Sequence, residues 1–351
     1  MENKAAVSRK KNIAGTVIML FSIVLTVSIV LRDHSLTMVS TALHGADWGW
    51  IAAGFFLMLL HMAFDAASMR LLFRSFERRL GWGRALSYSC VGFYFSAITP
   101  SATGGQPMQA YYMRQDGIEL SQSTFTLMVV TSFYQMLILL GGCLAIFIGH
   151  SYVAGLPHLI RWLLAFGALV NGFCAVILMS VFMQKKLAES LLRAAVHLLH
   201  KLHIMKNEEH WRKKVDESIE EYSKGGAYLK ENPLVGAKVF GYTLLKITAL
   251  NLVPYCACRA LHIPHIRVLD FIMRQSLLNL AVTAVPLPGS IGASEGSFIL
   301  LYQSILSPSK VDLAVILSRG ISFYAILAVS GAVVVMLGRR QGRKNRSHSD
   351  T

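Results

Sequence analysis

Six stretches of this chain run for close to, or beyond, the roughly 20 apolar residues that cross a bilayer. They are Ile13 to Leu31, Trp48 to Phe73, Thr124 to Ile148, Ile160 to Met183, Leu234 to Cys258 and Val311 to Leu337. Lipid offers no hydrogen bonds to backbone, so such runs must be helical. Hydrophobic residues make up 54% of the 351 positions and charged residues only 15%, where a soluble domain carries about one-quarter charged. A soluble enzyme, a secreted disulfide scaffold and a disordered chain are excluded. The net charge of +15 could suit nucleic acid or a membrane surface, and the apolar runs decide for the membrane. The five cysteines all lie in apolar segments without C-x-x-C spacing, which reads as helix packing rather than metal binding or disulfides.

Two further hydrophobic regions are interrupted. Residues 85–113 are broken at Thr99-Pro100-Ser101-Ala102-Thr103-Gly104-Gly105-Gln106-Pro107, and residues 269–306 at Pro286-Leu287-Pro288-Gly289-Ser290-Ile291-Gly292-Ala293-Ser294-Glu295-Gly296. Prolines and glycines prevent a continuous helix at both places. Basic residues give the orientation. Placing residues 1–12, 74–84, 114–120, 184–232 and 339–351 inside collects 24 of the 34 lysines and arginines there. Both termini are then cytoplasmic, 85–113 must enter and leave on the inside, and 269–306 must do so on the outside.

The expected fold is therefore an all-α polytopic membrane protein with six full spans and two re-entrant hairpins. The hairpins fall into a 4+4 inverted repeat, residues 1–148 matched by 160–338. Inverted repeats with interrupted helices are a transporter plan that puts the substrate site near the midplane. Residues 184–232 read as a cytoplasmic amphipathic helical insertion and 339–351 as a basic cytoplasmic tail. No phosphate-binding G-x-x-x-x-G-K-[ST] loop occurs, so ATP-driven transport by this chain alone is not expected.

The breaks carry the candidate site. Backbone amides near Gly104, Gly105 and Gln106, with Pro107 opening the returning half-helix, would face a cavity at the positive end of a helix dipole, which suits a phosphate. Pro286, Gly289, Ser290 and Gly292 repeat the arrangement. Glu295 falls in the first turn of the returning half-helix, and pairing with Arg319 or Lys246 is expected of it. Charges at membrane depth are rare and need partners or water. Arg70 and Arg259 sit near the ends of corresponding spans, either snorkelling to the interface or as a trace of symmetry. His61 and Asp65, four apart on one helix face, form either an interhelical contact or a proton relay. His197, His200 and His203 read as a solvated face, and neither metal nor cofactor is expected.

At these two breaks, and through Tyr111-Tyr112-Met113-Arg114-Gln115-Asp116-Gly117, the sequence resembles the lysylphosphatidylglycerol synthase transmembrane-region family, also called flippase-like domain proteins. Arg319 falls where that family usually has a basic residue, and Gly289-Ser290 stands where many members have two glycines. The resemblance spans roughly residues 10–340. It implies a bacterial cytoplasmic-membrane lipid flippase that moves aminoacylated phosphatidylglycerol, or another anionic or polyprenyl lipid, outward and so contributes resistance to cationic peptides. Gly104, Gly105 and Gln106 would donate amides, Arg319 or Arg114 would attract the phosphate, and Glu295 would meet a cationic headgroup or gate the path. Family members with a C-terminal cytosolic domain make that lipid from lysyl-tRNA; here the chain stops at Thr351, and no such domain is expected. Two alternatives stay open: phosphatidylglycerol lysyltransferase activity, alone or with a catalytic partner, and a non-transporting scaffold for a separate aminoacyltransferase or glycosyltransferase. No nucleic-acid partner is expected.

Overall fold

The computed structural model describes residues 40, 44–183, 190, 224–264, 267–283, 285, 287–290 and 292–347. The run Ile13 to Leu31, and the insertion 184–232 apart from residue 190 and its last nine residues, lie outside the described residues. Among those described there is no strand.

Helix α1 (Trp48–Phe73) begins where the Asp47 carboxylate accepts the Gly49 amide at 2.8 Å. It is followed by α2 (Trp82–Ile98), α3 (Gly105–Gln115), α4 (Leu120–Ile148), the short α5 (His150–Ala154) and α6 (His158–Met183). Beyond the insertion come α7 (Pro233–Ala260), α8 (Val268–Val282), α9 (Ala293–Tyr302), α10 (Pro308–Arg319) and α11 (Ala325–Ser347). Among the described residues, five helices are long and apolar enough to cross a membrane: α1, α4, α6, α7 and the α10–α11 run. The chain is a multi-pass membrane protein. On α6 an apolar stripe of Leu159, Trp162, Phe166, Leu169, Phe173 and Val176 is exposed, as a face against lipid tails must be.

Both expected interruptions are present. The half-helices beside each one run antiparallel. In the first, the Tyr88 hydroxyl, early in α2, donates to Asp116 Oδ2 just past the end of α3 at 2.6 Å, and Gln109 Nε2 donates to the Tyr88 carbonyl at 3.0 Å. In the second, the Tyr302 hydroxyl at the end of α9 donates to the Phe271 carbonyl near the start of α8 at 3.4 Å.

The two breaks also share a backbone path. Each opens with a proline-led 3-10 turn, Pro100–Ala102 and Pro288–Ser290. Each then places two successive residues in the left-handed region: Ser101 and Ala102 at φ 51° and 55°, Gly289 and Ser290 at φ 57° and 52°. The next helix starts five residues after the proline in both, at Gly105 and Ala293. Three of these four left-handed residues are not glycine, and each costs about 1–2 kcal/mol. Strain of this kind collects at functional sites.

The most extensive packing is between α1 and α7. Around it α1 packs on α2 and α7 on α8; α11 packs on α2 and α4 on α8; α3 packs on α4 and α9 on α10; and the two breaks touch each other. The helices α1 and α7 end alike. The Arg78 amide closes on the Phe73 carbonyl and the Ile263 amide on the Cys258 carbonyl, both at 3.1 Å, with left-handed Glu77 and His262 between.

Three details depart from the sequence expectation. The first returning half-helix starts at Gly105, which leaves Pro107 third in its first turn rather than first. The last span is not regular: a π turn over Gly320–Tyr324 follows Arg319, favoured by a glycine with open space around it. Helix continues past Leu337 to Ser347, running through Gly338 and Gly342 with no proline to stop it.

Candidate functional site

The second break and the last span build one charged centre. Glu295 is the third residue of α9, where an acidic side chain complements the exposed amides of a helix start. Its Oε2 accepts the Gly292 amide at 2.6 Å, while its Oε1 accepts Arg319 Nε at 2.6 Å. Arg319 Nη2 reaches the Gly289 carbonyl at 3.2 Å, and its guanidinium lies 4.3 Å from the centre of the Phe323 ring. Phe323 belongs to the π turn, so the irregular turn supplies the aromatic floor under the charge. These contacts use two of the five guanidinium N–H donors. Both side chains stay slightly accessible, at 15% and 13%.

Beside the pair is a cavity of about 180 Å³. Arg319, Ser290, Ser294, Ser318, Ser322, Gln275 and Asn279 give it polar walls; Phe93, Phe298 and Phe323 give it apolar ones. Leu250 and Pro254 of α7 also line it. Because proline has no N–H, Pro254 leaves the Leu250 carbonyl without its helical donor on that wall. The cavity thus offers hydroxyls, amides and a guanidinium against aromatic surfaces, the kind of lining that binds small polar ligands.

Gly289 is the hinge of this arrangement. A Cβ there would meet the Phe323 ring and come within 3.2 Å of the Ala97 carbonyl, at the end of the half-helix leading to the first break. The two breaks meet at this point.

The first break is organised differently from its expected role. The Gly104 amide donates to Thr99 Oγ1 at 2.9 Å, so a cap within the protein takes it. A Cβ at Gly105 would overlap Ser96 Oγ and sit 2.8 Å from the Gly92 carbonyl. These glycines let two half-helices touch. Gln106 is exposed and donates Nε2 to Thr131 Oγ1 of α4 at 2.7 Å. Arg114 is exposed in the last turn of α3, nine residues and so about 13 Å from Gly105 along the axis. The fold does not bring Arg114 to the break.

A second charged centre stands apart from the first. Lys246 does not pair with Glu295; its Nζ lies 2.5 Å from Asp65 Oδ1 on α1. Ser89 of α2 donates to Asp65 Oδ2 at 2.7 Å, and His61 Nδ1 meets the Lys246 carbonyl at 3.0 Å. The ring of Tyr134 on α4 lies 5.3 Å from Lys246 Nζ. His61 and Asp65 therefore hold an interhelical contact. Arg70 Nε donates to the Leu80 carbonyl at 2.8 Å and its guanidinium stacks 4.1 Å over Trp82. Arg259 stacks on Trp50 at 5.3 Å. The Arg259 and Arg74 carbonyls have like roles at the two helix ends, accepting the amides of His262 and Glu77.

Sequence reasoning missed Thr99, Thr131, Tyr134, Ser89, Gln275, Asn279 and Phe323. Only Ser318 and Ser322, flanking Arg319 at helical spacing in an apolar run, left a readable signal. No cluster of three or more metal-ligating side chains occurs among the described residues.

Fold and site together define a polytopic helical membrane protein with two interrupted helical segments meeting beside a buried charged pair. The family profile described as lysylphosphatidylglycerol synthase TM region matches residues 12–330, and the chain belongs to that family. The family ties the protein to lysylphosphatidylglycerol synthesis or transport. No curated protein matches the chain.

Proposed function

We propose that this protein translocates a phospholipid between the leaflets of a bacterial cytoplasmic membrane, with the two broken segments as re-entrant hairpins of a 4+4 inverted repeat. The observation that carries the reading is the Glu295–Arg319 pair on the wall of a polar cavity where the two breaks meet. A headgroup crossing the hydrocarbon needs such a place, because a bare phosphate there is prohibitively costly. The pair offers both signs of charge. Arg319 and the surrounding hydroxyls suit the phosphate, and Glu295 suits an ammonium, so a headgroup bearing both groups matches best. Aminoacylated phosphatidylglycerol has that chemistry.

The repeat has two supports. Three packed helix pairs in one half have a counterpart in the other among the described residues: α1–α2 with α7–α8, α11–α2 with α4–α8 and α3–α4 with α9–α10. The breaks follow the same backbone path 188 residues apart, as Pro100 and Pro288 mark. Helices α3 and α9 have 11 and 10 residues, so each reaches about 16 Å, roughly half of the hydrocarbon thickness.

The test is a leaflet-resolved assay in proteoliposomes holding lysylphosphatidylglycerol, phosphatidylglycerol or a polyprenyl phosphate. The full chain should accelerate exchange of at least one lipid over empty vesicles, and E295Q and R319Q should each slow it at least tenfold. No acceleration for any of the three would refute translocation. The family description also favours a second reading, lysyl transfer, for which the purified chain should form product from lysyl-tRNA and phosphatidylglycerol.

A further inference from the structure

The Asp65–Lys246 centre takes no part in the site described above, yet it adjoins it. Lys246 is one helical turn before Leu250 on α7, and Ser89 is one turn before Phe93 on α2; Leu250 and Phe93 both line the cavity. Residues four apart share a helix face, about 6 Å between them. The centre also ties both halves together, since Lys246 comes from α7 and Asp65 from α1. By the matching helix ends, His61 and Lys246 hold corresponding positions, 185 residues apart, and they touch. On the proposed repeat, the axis relating the halves passes between them. Asp65 has no acidic counterpart: its corresponding position is Leu250.

We propose that Asp65 is a proton-binding site, with Lys246 as the internal cation that occupies the carboxylate when the proton is absent. The inference rests on the translocation reading. One proton from the aqueous side binds Asp65 Oδ1, the oxygen that Lys246 now holds; no other bond forms or breaks, and Ser89 keeps Oδ2. The centre then changes from net zero to +1. Lys246, released, has the Tyr134 ring as a second resting place and the cavity one turn away. An anionic headgroup in that cavity supplies the missing negative charge, so proton and lipid phosphate favour each other's binding. The groups facing Asp65 are His61 on its own helix, Ser89 and Cys90 on α2, Tyr134 on α4 and Lys246 on α7. His61 Nδ1 directs its N–H at the Lys246 carbonyl, which leaves Asp65 as the acceptor nearest the ammonium.

The experiment uses the full chain in phosphatidylglycerol vesicles under an imposed pH gradient, with translocation and infrared absorption of protonated carboxyl groups read in parallel. Wild type should translocate several-fold faster with the gradient than without it. D65N should run at one rate in both conditions, and D65E should regain the response. The infrared band of a protonated carboxyl should grow as pH falls and as phosphatidylglycerol is added, and D65N should lose it. If D65N fails to fold, D65N/K246Q removes both charges together and should behave as described for D65N. A gradient response that survives in D65N, or is lost only in H61Q, would overturn the assignment, as would a wild type indifferent to the gradient. Wild type that moves no lipid at all defeats the translocation reading instead, and the infrared titration then decides the proton site by itself.

Discussion

At the scale of single residues, the glycines and the charged pairs carry different physics. Removing one partner of the Glu295–Arg319 pair strands a largely buried charge, which costs about 3 kcal/mol. E295Q and R319Q should therefore each lower the unfolding temperature in detergent by several degrees, and the double variant should lose less than the sum of the two. R319K should fare badly as well, because an ammonium cannot span Glu295 and the Gly289 carbonyl as the guanidinium fork does. G289A combines a left-handed backbone with a collision at Phe323, and a loss of at least about 1–2 kcal/mol is expected from the backbone alone. G296A is its control: that position is helical with open space, so alanine should stabilise by about 0.5–1 kcal/mol. Thermal unfolding of the two variants side by side checks both signs. The sequence made Glu295 and Arg319 readable because charges within apolar runs need partners. It did not disclose that Lys246 would choose Asp65, since 181 residues separate them on two apolar helices. Glycine is ambiguous in the same way, marking either exposed amides or close backbone approach. At Gly104 and Gly105 it marks the cap and close contact.

At the scale of elements, proline and glycine made both interruptions legible, and apolar runs gave the bounds of α1, α4, α6 and α7 to within a few residues. The π turn was not legible, because its only cue is one glycine, Gly320, in an otherwise regular apolar helix. A π turn accommodates one extra residue without changing the faces of the helix on either side. Deleting Gly320 should thus leave α10 and α11 in register, with an unfolding temperature close to wild type. Deleting Ala314, fully buried within α10, should turn every following side chain by about 100° and collapse the fold. Comparable losses from the two deletions would contradict the assignment of the turn. The half-helices were harder to foresee as partners. Their antiparallel pairing depends on Tyr88, Gln109 and Tyr302, whose hydroxyl and amide contacts have no periodic signature in sequence.

At the scale of the molecule, hydrophobic runs and the placement of basic residues suggested two halves of opposite orientation, the repeat proposed above. What sequence could not give was the meeting of the two breaks, a contact between segments nearly 190 residues apart with no shared composition beyond Pro and Gly. An alternating exchange between the halves would move α1 against α7, and the Asp65–Lys246 tie spans that contact. In the proposed arrangement each broken segment enters and leaves on one side, the first opposite to the second. Sided cysteine labelling in sealed vesicles tests it most directly, with the native cysteines replaced and single cysteines placed at Arg84, Gln115, Arg267 and Ser307. Positions 84 and 115 should react only from the cytoplasmic side, and 267 and 307 only from the opposite side. Labelling of 84 and 115 from opposite faces would mean a full crossing, and the paired hairpins would be wrong.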